Sequence, residues 1–148
     1  PGPEHAALKR MEGEWAATVT GEMGESKGTT TAKLDCGGLW LVTEYRGEFF
    51  GQPFQGRGLD GYDPAKKKYV SVWVDSMSTA PMMLEGTMDA DKKVLTMRGE
   101  GPGPDGTPVK YKNVTEFTDH DHHKFIMSIV GADGKETPMM TINYVRKK

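Results

Sequence analysis

Cysteine is nearly absent from this sequence, since Cys36 is the only one in 148 residues. A lone thiol excludes an intrachain disulfide, so the fold has to rest on an apolar core. A chain of this length buries roughly two thirds of the surface that it exposes when unfolded, which is enough for a stable domain. We therefore expect one domain over residues 1–148, in a chain that suits a reducing cytoplasm as well as a periplasm.

Long apolar runs and an excess of one charge are absent too. The longest apolar stretches, 37–42 and 125–130, fall well short of the ~20 residues of a membrane-spanning helix. The 19 Lys and Arg residues are balanced by 21 Asp and Glu residues, so no basic surface for phosphates is expected. These absences exclude a membrane span and disfavour a nucleic-acid partner. We expect a soluble protein, cytoplasmic or periplasmic after removal of a leader.

Glycine and methionine, in contrast, are abundant, with 19 and 10 copies. The glycines indicate many tight turns, and the methionines indicate an adaptable apolar lining. Residues 3–12 predict a short helix, because Pro3 suits a first turn, Leu8 and Met11 share one face, and Gly13 follows as a stop.

After Gly13 the hydrophobic period changes to two, in short runs separated by turn residues. The runs are 14–20, 28–35, 39–50, 54–62, 68–75, 80–88, 94–101, 107–117, 123–130 and 137–145. Connections such as Asp105-Gly106 and Asp133-Gly134 carry hairpin chemistry, so neighbouring runs are predicted to pair antiparallel. A sheet of about ten such strands avoids exposed edges by closing on itself. We predict an all-β, up-and-down antiparallel barrel that is wide enough for one small ligand, with a sandwich as the alternative.

Two of the runs, around 40–46 and 69–75, have a face that mixes aromatic with charged side chains. Large aromatics are unusual on a plain solvent face, so we expect both mixed faces to point into the barrel. The predicted ligand-binding site consists of Trp40, Glu44, Arg46, Tyr62, Trp73, Asp75 and Tyr144. In the alternative arrangement, the apolar faces form the core and the charged residues are solvated.

A cluster of histidines and aspartates in residues 119–123 contains the ligand types that metal ions prefer. His120, His122 and His123 fall in a predicted turn, however, where polar residues are expected anyway. A solvated turn is therefore the preferred interpretation, and the three histidines are weak candidates for a metal site.

Nucleophilic catalysis has no support, because no Gly-x-Ser-x-Gly motif is present and Cys36 is expected to be a buried structural thiol. Glu44 and Asp75 would suit acid–base chemistry if they shared a desolvated interior, since burial would raise the pKa of one carboxyl. An enzyme that uses these two acids is the catalytic alternative.

The segment Gly13-Glu14-Trp15 resembles the Gly-x-Trp signature that opens the first strand of lipocalins after a short helix. In that superfamily a basic residue on or after the last strand packs over the tryptophan, and Arg146 is in that position. The resemblance implies a calycin (lipocalin-like) barrel, with Gly13, Trp15 and Arg146 as its structural signature.

More closely, the chain resembles the bacterial family called domain of unknown function 1579. The matching stretches are 1–5, 13–15, 37–41, 54–63, 73–76 and 144–146. This family is assigned to the calycin-like barrels and implies no particular activity. Related barrels, the nitrobindins, hold haem and open with Gly-x-Trp-x-Gly-x-Gly, whereas this chain has Ala17 and Val19 at the later glycines. Haem is therefore disfavoured, and the sequence requires no cofactor.

The leading hypothesis is a non-catalytic protein that binds a small apolar or amphipathic molecule inside the barrel. The alternatives are an enzyme, a haem- or metal-binding barrel, and a structural module that is filled by its own side chains. In the last case the partner would be a second copy of the chain, in a homodimer joined through the barrel edges.

Overall fold

The computed structural model describes residues 2–148, which form one short helix and ten strands. The elements are α1 (Glu4–Lys9), β1 (Gly13–Gly21), β2 (Gly24–Asp35), β3 (Trp40–Phe49), β4 (Gln52–Asp63), β5 (Lys68–Asp75), β6 (Met82–Met88), β7 (Val94–Pro102), β8 (Pro108–Asp119), β9 (His122–Val130) and β10 (Glu136–Arg146). Strand β2 starts earlier than predicted, because Gly21 and Gly24 pair across a two-residue turn.

The ten strands form a closed barrel of the up-and-down type. Each strand pairs antiparallel with the next one in the chain, and β1 pairs with β10 to complete the circle. Closure leaves no strand in the barrel with a free edge. The predicted all-β antiparallel barrel is therefore confirmed, and the sandwich alternative is wrong.

Helix α1 is shorter than the predicted 3–12. The backbone amides of Met11 and Glu12 bond the carbonyl oxygens of Leu8 and Lys9, three residues earlier, so the chain tightens before β1 begins. Ala7 and Leu8 are buried in one apolar cluster with Leu41 of β3 and other strand residues. The helix thus covers one end of the barrel, which we call the closed end.

The opposite end, which we call the mouth, is formed by the turns after β1, β3, β5, β7 and β9. Within residues 2–148 no helix covers this end. Nor do these residues contain a helix of the length and apolar character that crossing a membrane requires. The two ends therefore differ in how they are built.

One row of paired residues across β1 to β5 shows which side chains point inward. The row is Trp15, Thr30, Tyr45, Gly56 and Asp75, each paired with the next. Directly paired residues face the same side of a sheet. Trp15 and Tyr45 are only 2% and 5% exposed, so this side is the interior. Every second residue along each of these strands, counted from the row, also faces the interior.

Glycines in β4 make room for two tryptophans on opposite faces of the sheet. A Cβ atom at Gly56 would overlap the Trp73 ring, and one at Gly58 would lie 3.1 Å from it, so the indole lies against the inner side of β4. A Cβ at Gly61 would meet the Trp40 ring at 2.6 Å, on the outer side. These glycines therefore make room for the packing of both rings against the sheet.

Cys36 departs from its predicted burial. It lies in the turn between β2 and β3, is exposed, and has a φ of 53°. The turn has to reverse the chain within four residues, which places the thiol at the surface. The expectation of a buried structural thiol is wrong.

Candidate functional site

Four of the seven predicted site residues face the interior. Tyr62 pairs with Tyr69 near the closed end, and their rings meet edge to face with centroids 5.0 Å apart. Trp73 and Asp75 lie on the inner face of β5 towards the mouth, where the indole Nε1 donates to Asp75 Oδ2 at 2.9 Å. Tyr144 lies on β10, opposite Ala17. The structure thus distributes these side chains along the inner wall.

The other three, Trp40, Glu44 and Arg46, point outward, and the expectation that they line the interior is wrong. They alternate with Leu41 and Tyr45, which occupy the inner face of β3 and are buried. Contacts on the outer surface of the barrel explain their mixed composition instead. The Glu44 carboxylate bonds Arg46 and lies 3.3 Å from the Arg57 guanidinium, while Trp40 packs over β4. Glu44 and Asp75 consequently lie on opposite faces of the wall and do not form an interior acid pair.

The interior also holds polar residues that sequence reasoning missed. Three buried side-chain atoms have no hydrogen-bond partner among the described residues: Thr30 Oγ1, Tyr45 Oη and Asn113 Oδ1. Their residues are 6%, 5% and 7% exposed. A buried polar group without a partner costs about 1–3 kcal/mol, so natural proteins seldom keep one without a reason.

Thr30 and Tyr45 belong to a group of hydroxyls on one wall. They are directly paired across β2 and β3. Burial raises the pKa of Tyr144 well above its usual value, and the neighbouring Tyr45 adds to this rise while the Thr30 hydroxyl opposes it. Tyr45 also has a pKa raised by burial. The hydroxyls of Thr30, Tyr45 and Tyr144, which we call the hydroxyl cluster, therefore remain un-ionised donors and acceptors in an apolar wall.

Asn113 lies on the other side, on β8. Its Nδ2 lies 3.8 Å from Met82 Sδ, a weak acceptor, while its Oδ1 is unpartnered. Met97 of β7 and Met127 of β9 are its directly paired neighbours. This wall therefore combines one amide with flexible, polarisable side chains that adapt to ligands of different shape.

The carboxyl of Asp60 lies half-buried on the inner face of β4. Its paired neighbours are Leu41 on β3 and Ser71 on β5. Burial raises the pKa of Asp60 to about 6, and a hydrogen bond from Ser71 opposes the rise. Asp60 was not among the predicted site residues, although it shares its face with Tyr62 two positions on.

Towards the mouth, the polar groups are better satisfied. Asp75 accepts both the Trp73 indole N–H and the Met77 amide, each at 2.9 Å. The Tyr111 hydroxyl donates to Pro102 O at 2.7 Å. Asp75 lies close enough to Tyr111 to add to the rise in its pKa that burial causes. These groups hold one another in place at the rim.

At the closed end the structure brings Gly13, Trp15 and Arg146 together. The Arg146 guanidinium lies 4.1 Å from the Trp15 ring centroid and donates to the carbonyl oxygens of Glu12, Arg10 and His120. Gly13 has a φ of 123°, and a side chain there would collide with the guanidinium. The three residues therefore act as a structural clamp.

The three late histidines do not share one turn, contrary to expectation. His123 is buried on the inner face of β9, its ring 4.4 Å from Trp15 and 4.7 Å from Tyr144. Burial, with smaller effects from Arg146 and Arg10, lowers the pKa of His123 to about 4. His120 and His122 are exposed. No set of three His, Cys, Asp or Glu side chains in residues 2–148 is grouped closely enough to hold a metal ion.

Two shallow clefts open through the outer wall. One, of about 260 Å³, lies between Arg98, Glu100 and Lys110. The other, of about 240 Å³, lies beside Asp75 where the pairing of β4 with β5 ends at Gly56. Both are open to solvent. Neither Asp60 nor a member of the hydroxyl cluster lines either cleft.

Comparison with known proteins gives a family and a fold. Residues 1–146 match the model of a family described as "Protein of unknown function (DUF1579)". A search of curated protein sequences finds no match. Among solved structures, the chain is similar to Rv2717c from M. tuberculosis, with a TM-score of 0.72, 14% identity and 99% of each chain covered.

Two further barrels are similar at lower scores. The redesigned beta barrel b11L5F_LGL has a TM-score of 0.53 and 16% identity, with 96% of each chain covered. EF1p2_mFAP2b, described as bound to DFHBI, has a TM-score of 0.54 and 14% identity, and the match covers 97% of this chain and 98% of that one. At these identities the likeness is one of fold.

Proposed function

Because the chain belongs to the DUF1579 family, whose description states no activity, we propose a function from its own residues. The protein binds a small amphipathic molecule inside the barrel. The ligand lies between the hydroxyl cluster on one wall and Asn113 on the other, with Trp73 and Asp75 towards the mouth. The barrel is a calycin-type fold in one domain, with the clamp of Trp15 and Arg146 as its signature.

The observation that carries the proposal is the pair of buried polar atoms without a hydrogen-bond partner among the described residues, Tyr45 Oη and Asn113 Oδ1, with the Thr30 hydroxyl beside Tyr45. Replacing Tyr45 by phenylalanine or Asn113 by leucine would remove the cost of burying these atoms. A ligand with its own hydroxyl, carbonyl or amine would satisfy them instead, and each new hydrogen bond would contribute about 1 kcal/mol to binding.

The apolar lining supports an amphipathic rather than a fully polar ligand. Tyr45, Ile142 and Val19 form one buried cluster, against which Trp73, Phe54 and Phe125 pack. Small-molecule sites in proteins bury most of a ligand against hydrophobic walls and orient it with a few polar groups. A barrel of similar fold described as bound to DFHBI is consistent with this use of the interior.

Binding is tested with N-phenyl-1-naphthylamine, an uncharged lipophilic dye, and with n-decanol as competitor. We expect the dye fluorescence to increase with the protein, decanol to displace the dye, and both compounds to raise the melting temperature. Tyr45→Phe should weaken decanol binding about fivefold, because one hydrogen bond of about 1 kcal/mol is lost. Trp40→Phe on the outer wall is the control and should leave decanol binding unchanged. If neither compound binds the wild-type protein, the proposal is wrong.

A further inference from the structure

We infer that the ligand carries an amine or another cationic donor group, which is received by Asp60 on the inner wall; this inference rests on the binding function proposed above. The inner face of the strands carries few charged side chains. Asp60 and Asp75 are the acidic residues on the inner face of the ten strands. Arg146 and His123 are the basic residues on that face; the Arg146 guanidinium is bound to the backbone at the closed end, and burial lowers the pKa of His123 to about 4.

The two inner carboxyls differ in how much of their bonding capacity is used. Asp75 accepts from Trp73 and from the Met77 amide, one bond to each oxygen. Asp60 has a single hydrogen-bonding neighbour, Ser71, although an ionised carboxylate accepts about four hydrogen bonds. Asp60 therefore has acceptor capacity left for a ligand, and Asp75 has less.

The surroundings of Asp60 contain no basic side chain that would act as its partner. Its paired neighbours are Leu41 on β3 and Ser71 on β5, and Leu84 on β6 follows in the same row. Tyr62 and Tyr69 lie on the same inner face, towards the closed end. A desolvated carboxylate without a cation nearby is unfavourable, so a cationic group of the ligand would stabilise the ionised Asp60.

The same wall offers aromatic faces for a cation. Tyr62 and Tyr69 lie on the closed-end side of Asp60, and Trp73 lies on the mouth side, next to Gly58. Ammonium groups within about 6 Å of such rings are attracted to the negative face of the ring. On the opposite wall, the unpartnered Asn113 Oδ1 is a second acceptor that favours a ligand with hydrogen-bond donors.

Three probes with the same alkyl chain but different head groups test the inference: n-decylamine, n-decanol and n-decanoate. Each is used below its critical micelle concentration. Displacement of N-phenyl-1-naphthylamine and quenching of tryptophan in a Trp40→Phe background report binding, since Trp73 lies between the mouth and Asp60. At pH 7.5 we expect decylamine to bind at least tenfold more tightly than decanol, and decanoate to bind most weakly. Decylamine should lose this advantage at pH 4.5, where Asp60 is protonated.

The variant Asp60→Asn keeps the size of the side chain and a partner for Ser71 but removes the charge. It should bring decylamine to the affinity of decanol at pH 7.5 and leave decanol unchanged. Its control is Glu48→Gln, an exposed residue at the mouth end of β3, which lowers the net negative charge equally and should leave the preference intact.

Few charged groups surround Asp60, so a difference in decylamine binding between pH 7.5 and pH 4.5 would report on this carboxyl. Burial and the Ser71 hydrogen bond account for its shifted pKa. Burial, with a smaller effect from Glu4 of α1, raises the pKa of Tyr69, so its hydroxyl remains neutral between pH 4.5 and 7.5. A pH-dependent preference that persists in Asp60→Asn would overturn the assignment to Asp60.

The remaining outcomes separate this inference from the proposed function. Equal affinities for the three probes, or a preference for decanoate, would overturn the inference and leave an amphipath-binding barrel. If none of the three displaced the dye or quenched tryptophan, the binding function itself would be wrong. A preference for decylamine that Asp60→Asn removes and Glu48→Gln retains would support both.

Discussion

The closed end and the middle of the barrel treat their polar groups in opposite ways. At the closed end, Arg146 donates to three backbone carbonyls while stacking on Trp15, and Tyr69 donates to the Glu4 carbonyl at 3.0 Å. In the middle, Thr30, Tyr45 and Asn113 have buried atoms without a partner among the described residues. Satisfied polar groups stabilise a fold, whereas unsatisfied ones cost free energy.

The two regions differ in what their polar groups contribute to the stability of the fold. The clamp and helix α1 build a plug that keeps the barrel closed at one end. The inner wall beyond the plug retains polar atoms and a carboxyl whose burial the fold alone does not require. Functional sites are the places where local rules of stability are broken. On the proposed function, the closed end serves folding and the middle of the barrel serves ligand binding.

The three tryptophans give the largest test of this division, because each lies in a different environment. Trp15 is 2% exposed in the clamp, Trp73 is half-buried in the inner wall, and Trp40 is 37% exposed outside. Trp15→Ala should cost about 4 kcal/mol of unfolding free energy, and Trp73→Ala about half as much. Trp40→Ala should cost less than about 1 kcal/mol. Urea unfolding measures all three.

The order of the three costs is what matters. If Trp73→Ala destabilised the protein as much as Trp15→Ala, the middle of the barrel would be as essential to folding as the plug. A large loss for Trp40→Ala would mean that its packing over β4 holds the sheet together.

Asp60 and His123 provide the next test, because burial shifts their pKa values in opposite directions. The pKa of His123 falls from 6.5 to about 4, so the unfolded chain binds its proton first and stability is lost as pH falls through this window. The pKa of Asp60 rises from 3.8 to about 6, so the folded chain holds its proton longer and stability is lost as pH rises. Each shift corresponds to about 3 kcal/mol, and between pH 4 and 6 the two largely cancel.

The contributions of Asp60 and His123 to the pH dependence of the unfolding free energy cancel in the wild type, and single variants should separate them. Relative to wild type, Asp60→Asn should gain up to about 3 kcal/mol between pH 4 and 7, and His123→Phe should lose a similar amount over that range. Urea midpoints at half-unit pH steps measure the difference, since the exposed carboxylates titrate alike in all three proteins. Curves for either variant that ran parallel to that of the wild type would show that its group is not desolvated.

The sequence contains enough to predict the inner face of the first five strands. Trp15 and Asp75 are joined through Thr30, Tyr45 and Gly56 in one row of pairs, because the four intervening turns hold two or four residues. A turn with an even number of residues keeps the row of paired residues on one face of the sheet. Carried from Trp15, this parity places Tyr45 inside and Trp40 outside, whereas judging each strand by its own composition placed Trp40 inside.

Asn113 and His123 were beyond that reasoning for a physical reason. The turn between β6 and β7 is longer, and the pairing of β8 with β9 shifts between Phe117 and Asp119. A bulge of this kind reverses the faces of all later residues. The orphaned state of the Asn113 amide depends further on the reach of Met82, which spacing along the chain does not encode.

The smallest expected effect comes from two tyrosines that differ in the bonding of one hydroxyl. Tyr111 and Tyr45 are each 5% exposed, but the Tyr111 hydroxyl donates to Pro102 O at 2.7 Å and the Tyr45 hydroxyl has no partner among the described residues. Tyr111→Phe should therefore cost about 1 kcal/mol, while Tyr45→Phe should be neutral or stabilising by up to about 1 kcal/mol. Thermal and urea unfolding of the two variants measure the contrast.

Saturating n-decanol sharpens this contrast, because a ligand that bonds Tyr45 stabilises the wild type and Tyr111→Phe more than it stabilises Tyr45→Phe. Without decanol, Tyr45→Phe is expected to be the more stable of the two variants, and with decanol the gap between them should narrow. A loss of stability in Tyr45→Phe equal to that in Tyr111→Phe would mean that the Tyr45 hydroxyl already contributes to folding. The polar groups in the middle of the barrel would then have their hydrogen bonds satisfied, as those at the closed end do.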